Sequence, residues 1–103
     1  MGSSWQTAFV GHLSQESLAA ALAPCPLDVA RVLFDCTTMT GYDLATRHSF
    51  VEWNRARPAL ERVAIITENT LWHMVVGAMS LASGRTMRCF ASLEAGRAWL
   101  EGP

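Results

Sequence analysis

Lysine is missing from this 103-residue chain, and all eight basic residues are arginine. Without lysine there is no Walker A phosphate loop, no Schiff-base nucleophile and no Ser–Lys dyad. No GxSxG element is present, so a nucleophile elbow is excluded. No GxG loop is present to cradle phosphates. Charged residues are sparse at 17%, and the net charge is −1 at pH 7. No basic field therefore exists to hold nucleic acid. The three histidines, His12, His48 and His73, show no HxH or HxxxH spacing, and a zinc site needs three or four ligands brought together. Neither a metal nor a cofactor is expected.

Three cysteines, Cys25, Cys36 and Cys89, lie far apart with no CxxC pair. Cys36 and Cys89 fall in apolar stretches and read as small buried hydrophobes. An odd count without motif spacing suits a reducing compartment. No charged-then-apolar signal stretch opens the chain, and the apolar run around residues 71–79 is interrupted by His73 and too short to span a bilayer. We therefore expect a cytoplasmic protein without a membrane span.

What is present is a globular balance, with 50% apolar residues. That length and composition predict one domain over residues 1–103, with a core that needs no disulfide or metal. The stretch 5–13, WQTAFVGHL, alternates Trp5, Thr7 and Phe9 with Gln6, Ala8 and Val10, which predicts a strand. Ser14 stands at an N-cap and Glu16 in the first turn of a helix over 15–23, ended by the PCP run. ARVLFDC, residues 30–36, is a continuous apolar run, as in strands covered on both faces. Asp43 can cap a helix over 44–57, stopped by Pro58. RVAII, 62–66, is a second buried strand. Asn69 or Thr70 starts a helix reaching Ser83, and Gly84 fits the left-handed position after it. TMRCF, 86–90, is a fourth strand, and Ser92 caps a last helix. The order βαβαβαβα predicts an α/β fold: a four-stranded, mostly parallel mixed sheet with about four helices.

Several groupings have both a chemical and a plain structural reading. Asp35 at a strand end and Asp43 across the next loop could work as acid and base, with His48 nearby in sequence. Alternatively, Asp43 caps a helix and Asp35 accepts loop amides. Arg47, Arg55, Arg57 and Arg62 could meet an acidic partner, or form a solvated face paired with Glu52 and Glu61. The helix TLWHMVVGAMSLAS carries two apolar stripes. Leu71, Met74, Val75, Ala78 and Ala82 suffice to pack on a sheet, which leaves Trp72, Val76 and Met79 surplus. Phe50 and Trp53 can extend that surplus surface. It is covered by neighbouring helices, or it is a dimer face or a lipid-accepting surface.

ARVLFDCTTMTGYD resembles the strand-then-switch segment of the STAS superfamily, the domains of anti-sigma-factor antagonists and sulphate-transporter tails. That pattern is an apolar strand ending in aspartate, a short polar loop, an apolar pair, then Asp-Ser at a helix start. FVGHLSQESLAAAL, RVAIITENTLWHMV and TMRCFASLEAGRAWL are similar to the family's other strand–helix units, and the GYD and LWHM features are closest to its SpoIIAA-like branch. The resemblance covers nearly the whole chain and implies a bacterial, non-enzymatic regulatory module. Its partner would be a protein, of kinase or anti-sigma type. Asp35 matches the strand-end aspartate and Asp43 the one before the phospho-acceptor. Leu44 stands in the acceptor's place and cannot be phosphorylated. Thr37, Thr38 and Thr40 lie upstream of Asp43, around Gly41. The extra leading strand of many STAS domains is not evident, which leaves an exposed first strand. The expected docking surface comprises Tyr42, Asp43, Phe50, Trp53, Trp72, Val76 and Met79. A homodimer, or a carrier of a lipid or other small apolar ligand, are the other roles this surface suits.

Overall fold

A computed structural model describes residues 3–103. Six strands and four helices run in the order β1 (Ser4–Ala8), β2 (Gly11–Leu13), α1 (Gln15–Leu22), β3 (Arg31–Asp35), β4 (Met39–Tyr42), α2 (Leu44–Arg55), β5 (Arg62–Ile66), α3 (Thr70–Ser83), β6 (Thr86–Phe90) and α4 (Leu93–Glu101). The main sheet has the order β1-β3-β5-β6. Every pairing in it is parallel, so the expected mixed sheet carries no antiparallel strand. β1 is an open edge, as anticipated.

The strand order decides where the helices go. From β1 to β3, β5 and β6 the chain always steps to the same side. Right-handed crossovers then place α1, α2 and α3 on one face. Val32, Phe34, Val63, Ile65 and Met87 point to that face and pack with Leu18, Leu22, Phe50 and Val76 from the three helices. The other face is left to α4. There Leu33, Ala64 and Ile66 meet Leu100, flanked by Phe90, Leu93 and Trp99. Burial on both faces explains the continuous apolar runs of β3 and β5. α4 comes close because Gly96 has no side chain: a Cβ there would lie 2.3 Å from Ile66 Cδ1.

Two arginines fasten α4 at its far end. Arg31 and Arg62 are cross-strand neighbours. Arg31 Nη1 donates to Leu100 O at 2.8 Å, and Arg62 Nη1 donates to Trp99 O at 2.8 Å and Gly102 O at 2.7 Å. They satisfy carbonyls that a helix end leaves without partners, and their charge suits the negative end of the helix. Arg62→Met is expected to cost about 2–3 kcal/mol from lost charged hydrogen bonds. Hydrogen exchange of the α4 amides should rise well above that of β3 and β5. Wild-type protection of α4 in the variant would remove this role.

Local signals account for most element ends. Ser14, Asn69 and Ser92 accept backbone amides at the starts of α1, α3 and α4. Gly84 takes φ 70° after α3. Two boundaries differ from expectation by more than a residue. α2 stops at Arg55, two residues short of 57, because Arg57 precedes Pro58 and is steered out of the helical region. The predicted strand over 5–13 is two strands. Gly11, at φ 69°, swivels the chain after Phe9. β2 then leaves the main sheet and pairs in parallel with β4, at Gly11↔Met39, His12↔Gly41 and Leu13↔Tyr42. The segment read as a plain loop after β3 thus contains a strand.

Candidate functional site

The chain from Asp35 to Leu44 leaves the end of β3, turns, runs as β4 and enters α2. Thr37 donates to Asp35 Oδ1 from both its backbone amide (3.1 Å) and its hydroxyl (2.7 Å). Met39 N closes a turn onto Cys36 O at 3.2 Å. Asp35 is therefore an acceptor of loop donors, the plainer of its two readings. Thr37, Thr38 and Thr40 are exposed, and Gly41 is half-buried against the His12 ring. Asp43 holds the N-cap position of α2, but its side chain makes no capping bond. Its carboxylate meets His12 Nε2 at 3.1 Å instead. β2 and the start of α2 are thereby tied by side chains as well as by the ladder. Leu44, the first residue of α2, is 58% exposed.

The acid–base grouping does not converge. Asp35 is engaged by Thr37 and Asp43 by His12, while His48 lies along the groove between α2 and α3 with Glu52 and Arg55. Among the described residues, no group of three or more His, Cys, Asp or Glu side chains could hold a metal ion. Three of the four arginines grouped in the sequence serve the fold, and Arg47 does not share that role. Arg55 pairs with Glu52 and donates to Ala82 O, Arg57 stacks over Trp53 at 4.1 Å, and Arg62 holds α4.

The two stripes of α3 are placed opposite to expectation. Val76 and Ser83 are buried, and Trp72 and Met79 pack against the core. Leu71, Met74 and Ala78, expected to face the sheet, are exposed instead. Both stripes are apolar, so periodicity fixes the helix but not its rotation. Phe50 likewise lies in the core, beneath Phe34 at 5.1 Å between ring centroids, and Trp53 is half-buried on the same ring. Phe50 and Val76 thus present no outward face to a partner.

These inward residues line a crevice. Phe9, Phe34, Cys36, Phe50, Ile65 and Val76 form its buried walls. The half-buried Met39, Tyr42, Arg47, Trp72, Val75 and Met79 ring its opening. Tyr42 and Trp72 bring β4 and α3 together, with ring centroids 5.9 Å apart. Nearly all of the exposed lining is carbon and sulfur. The cavity has a volume of about 60 Å³. Thr46 is fully buried on the same wall, and its Oγ1 has no hydrogen-bond partner. Burial, then the Asp35 carboxylate, then Cys89, push the Cys36 thiol up to about 12. The crevice draws together five of the seven residues expected at a docking or ligand surface: Tyr42, Phe50, Trp72, Val76 and Met79. Asp43 and Trp53 lie outside it. Of the rim, sequence reasoning missed Met39, grouped Arg47 with the other arginines rather than with this surface, and gave Val75 to packing on the sheet. Met39 belongs to the unrecognised β4, and Val75 to the stripe assigned to the wrong side.

No helix among the described residues is long and apolar enough to cross a membrane. No family model and no curated protein matches the sequence. The fold does have a solved counterpart, the crystal structure of an uncharacterized protein of the DUF3478 family from Shewanella loihica PV-4, described as having a SpoIIAA-like fold. The two superpose with a TM-score of 0.69 over 92% of this chain and 82% of that one, at 20% identity.

Proposed function

From the premise that the fold is SpoIIAA-like, we propose that this protein is a non-enzymatic STAS-type regulatory module. It docks a protein partner, of kinase or anti-sigma type, at the β4–α2 loop. The crevice beside that loop accepts an apolar side chain of the partner. The observation that carries this reading is the crevice itself: apolar, small, and ringed by Met39, Tyr42 and Trp72. Small-molecule sites usually measure about 300–1,000 Å³. A cavity of about 60 Å³ holds a few carbons. That suits a valine- or leucine-sized group better than an acyl chain. Tyr42 and Trp72 are side chains of the kind that dominate docking energetics. Leu44 removes the usual phospho-acceptor, so control by phosphorylation at that position does not operate.

A second reading, a carrier of a small apolar ligand, is favoured by the lining, which has almost no exposed polar surface. It requires α3 to move outward to enlarge the cavity.

Two measurements separate the readings. Xenon, an atom-sized apolar probe, should shift the methyl NMR signals of Met39, Val75, Val76 and Met79. Native mass spectrometry of the purified protein should show the bare chain mass. A co-purifying lipid mass would establish the carrier instead. Unmoved methyl signals together with no bound mass would remove the crevice from both readings.

A further inference from the structure

The outward stripe of α3 stands apart from the crevice and has no partner among the described residues. Leu71 is 71% exposed, Met74 77% and Leu81 87%, with exposed Gly77 and Ala78 between them. Positions 71, 74, 78 and 81 follow the three-and-four spacing of a helix–helix seam. Exposed aliphatic side chains grouped this way mark an interaction surface.

The stripe reads nearly the same in both directions about position 76. Laid antiparallel on a second copy, Leu71 comes opposite Leu81, and Met74 opposite Ala78. Large meets small at the second pair, so the long methionine fills the space over the alanine, and Gly77 lets the helices approach closely. No residue of Thr70–Ser83 carries a formal charge apart from what His73 can acquire, and His73 lies inward against Thr67 O at 3.2 Å. Two copies therefore meet without burying an ionised group, which would cost several kcal/mol. The ends add complementarity. In this register Glu68 of one copy lies beside the last turn of the other copy's α3. There Arg55 donates to Ala82 O, and Arg85 follows Gly84. A parallel pairing would instead bring the two Glu68 carboxylates together.

We infer that this protein self-associates as a two-fold symmetric dimer through antiparallel pairing of its α3 helices. The partner is a second copy of this chain. One helix of 14 residues is about 21 Å long. It covers less than the roughly 800 Å² per partner of a standard interface. The dimer is accordingly reversible, forming with rising protein concentration.

Sedimentation equilibrium over a concentration series tests this. The wild-type chain should pass from monomer to dimer. Met74→Ala leaves alanine facing alanine, and Ala78→Met sets methionine against methionine. Each should weaken the dimer about tenfold or more, a change of roughly 1.4 kcal/mol. The double variant M74A/A78M restores one large and one small residue at each contact and should recover most of the affinity. All these positions are exposed, so circular dichroism should show unchanged folding. A wild-type chain that stays monomeric up to about 1 mM, a concentration at which even a 4 kcal/mol association is visible, overturns the inference. If that monomer sediments with vesicles of phosphatidylcholine and phosphatidylglycerol, the stripe meets a membrane surface instead. A dimer that the double variant fails to restore overturns the antiparallel register.

Discussion

Phe34→Ala is expected to remove about 3–5 kcal/mol of stability, the usual range for deleting a fully buried phenylalanine. Phe34 has no exposed surface. Its ring is the hub of an aromatic cluster, stacked on Phe9 at 5.1 Å and met edge-on by Phe50 at 5.1 Å, Trp53 at 6.0 Å and Trp5 at 6.5 Å. Those partners come from β1, the segment after it, and α2. Truncating the ring therefore loosens the seat of the helix that forms one wall of the crevice. A domain of this size shifts its melting temperature by roughly 4–8 °C per kcal/mol. Thermal unfolding followed by circular dichroism should show a fall of about 15 °C or more. A fall of only a few degrees would mean that the cluster collapses around the missing ring, and that Phe34 is not its hub.

The second large effect is alkaline. Cys36, buried in the crevice wall, has its thiol pushed from an ordinary 9.0 up to about 12. The sign follows from the unfolded chain. Below pH 9 the thiol keeps its proton in both states, and the full stability is present. Between pH 9 and 12 the unfolded chain gives up the proton while the folded chain retains it. Stability then falls as pH rises, by about 1.4 kcal/mol per unit. Across that window the loss is on the order of 4 kcal/mol, from a raised value that no opposite charge relieves. Denaturant unfolding from pH 8 to 11 should show a steeper decline for the wild type than for Cys36→Ala. Parallel declines would mean that the thiol is hydrated in the folded state. The same burial should keep Cys36 unreactive toward thiol reagents at pH 8 until the chain unfolds.

Features with local causes were legible in the sequence. Ser14, Asn69 and Ser92 cap their helices through amides two or three residues away, and Gly84 ends α3 through its own backbone freedom. The doubly buried runs of β3 and β5 announced a parallel sheet. The small β2–β4 ladder was not legible. MTGY has no alternation and contains a glycine, so its strand character comes only from pairing with residues 11–13. Asp43 was placed at its helix start, but the partner of its carboxylate, His12, lies 31 residues away. The site residues divide in the same manner. Tyr42, Trp72 and Met79 were singled out as unusual apolar side chains, yet their convergence with Phe9, Cys36 and Ile65 on one crevice depends on three elements, β4, α3 and β5, and on the segments after β1 and β3.

The rotation of α3 is the clearest division. The order of residues was enough to show that 70–83 form a helix, where it starts and stops, and that it carries more apolar surface than one packed face requires. The lack of lysine and of a GxG loop also excluded lysine-dependent and glycine-loop phosphate chemistry. Which stripe turns inward was settled by packing in the folded chain. Helical periodicity is a single-chain property and treats two apolar stripes alike. The choice is made by shape, where the helix is seated: Trp72 against Tyr42, Val76 and Met79 beside the aromatic cluster, and Arg55 on the last turn. Those contacts join residues up to several tens of positions apart, and their energies exist only once the chain has brought them together.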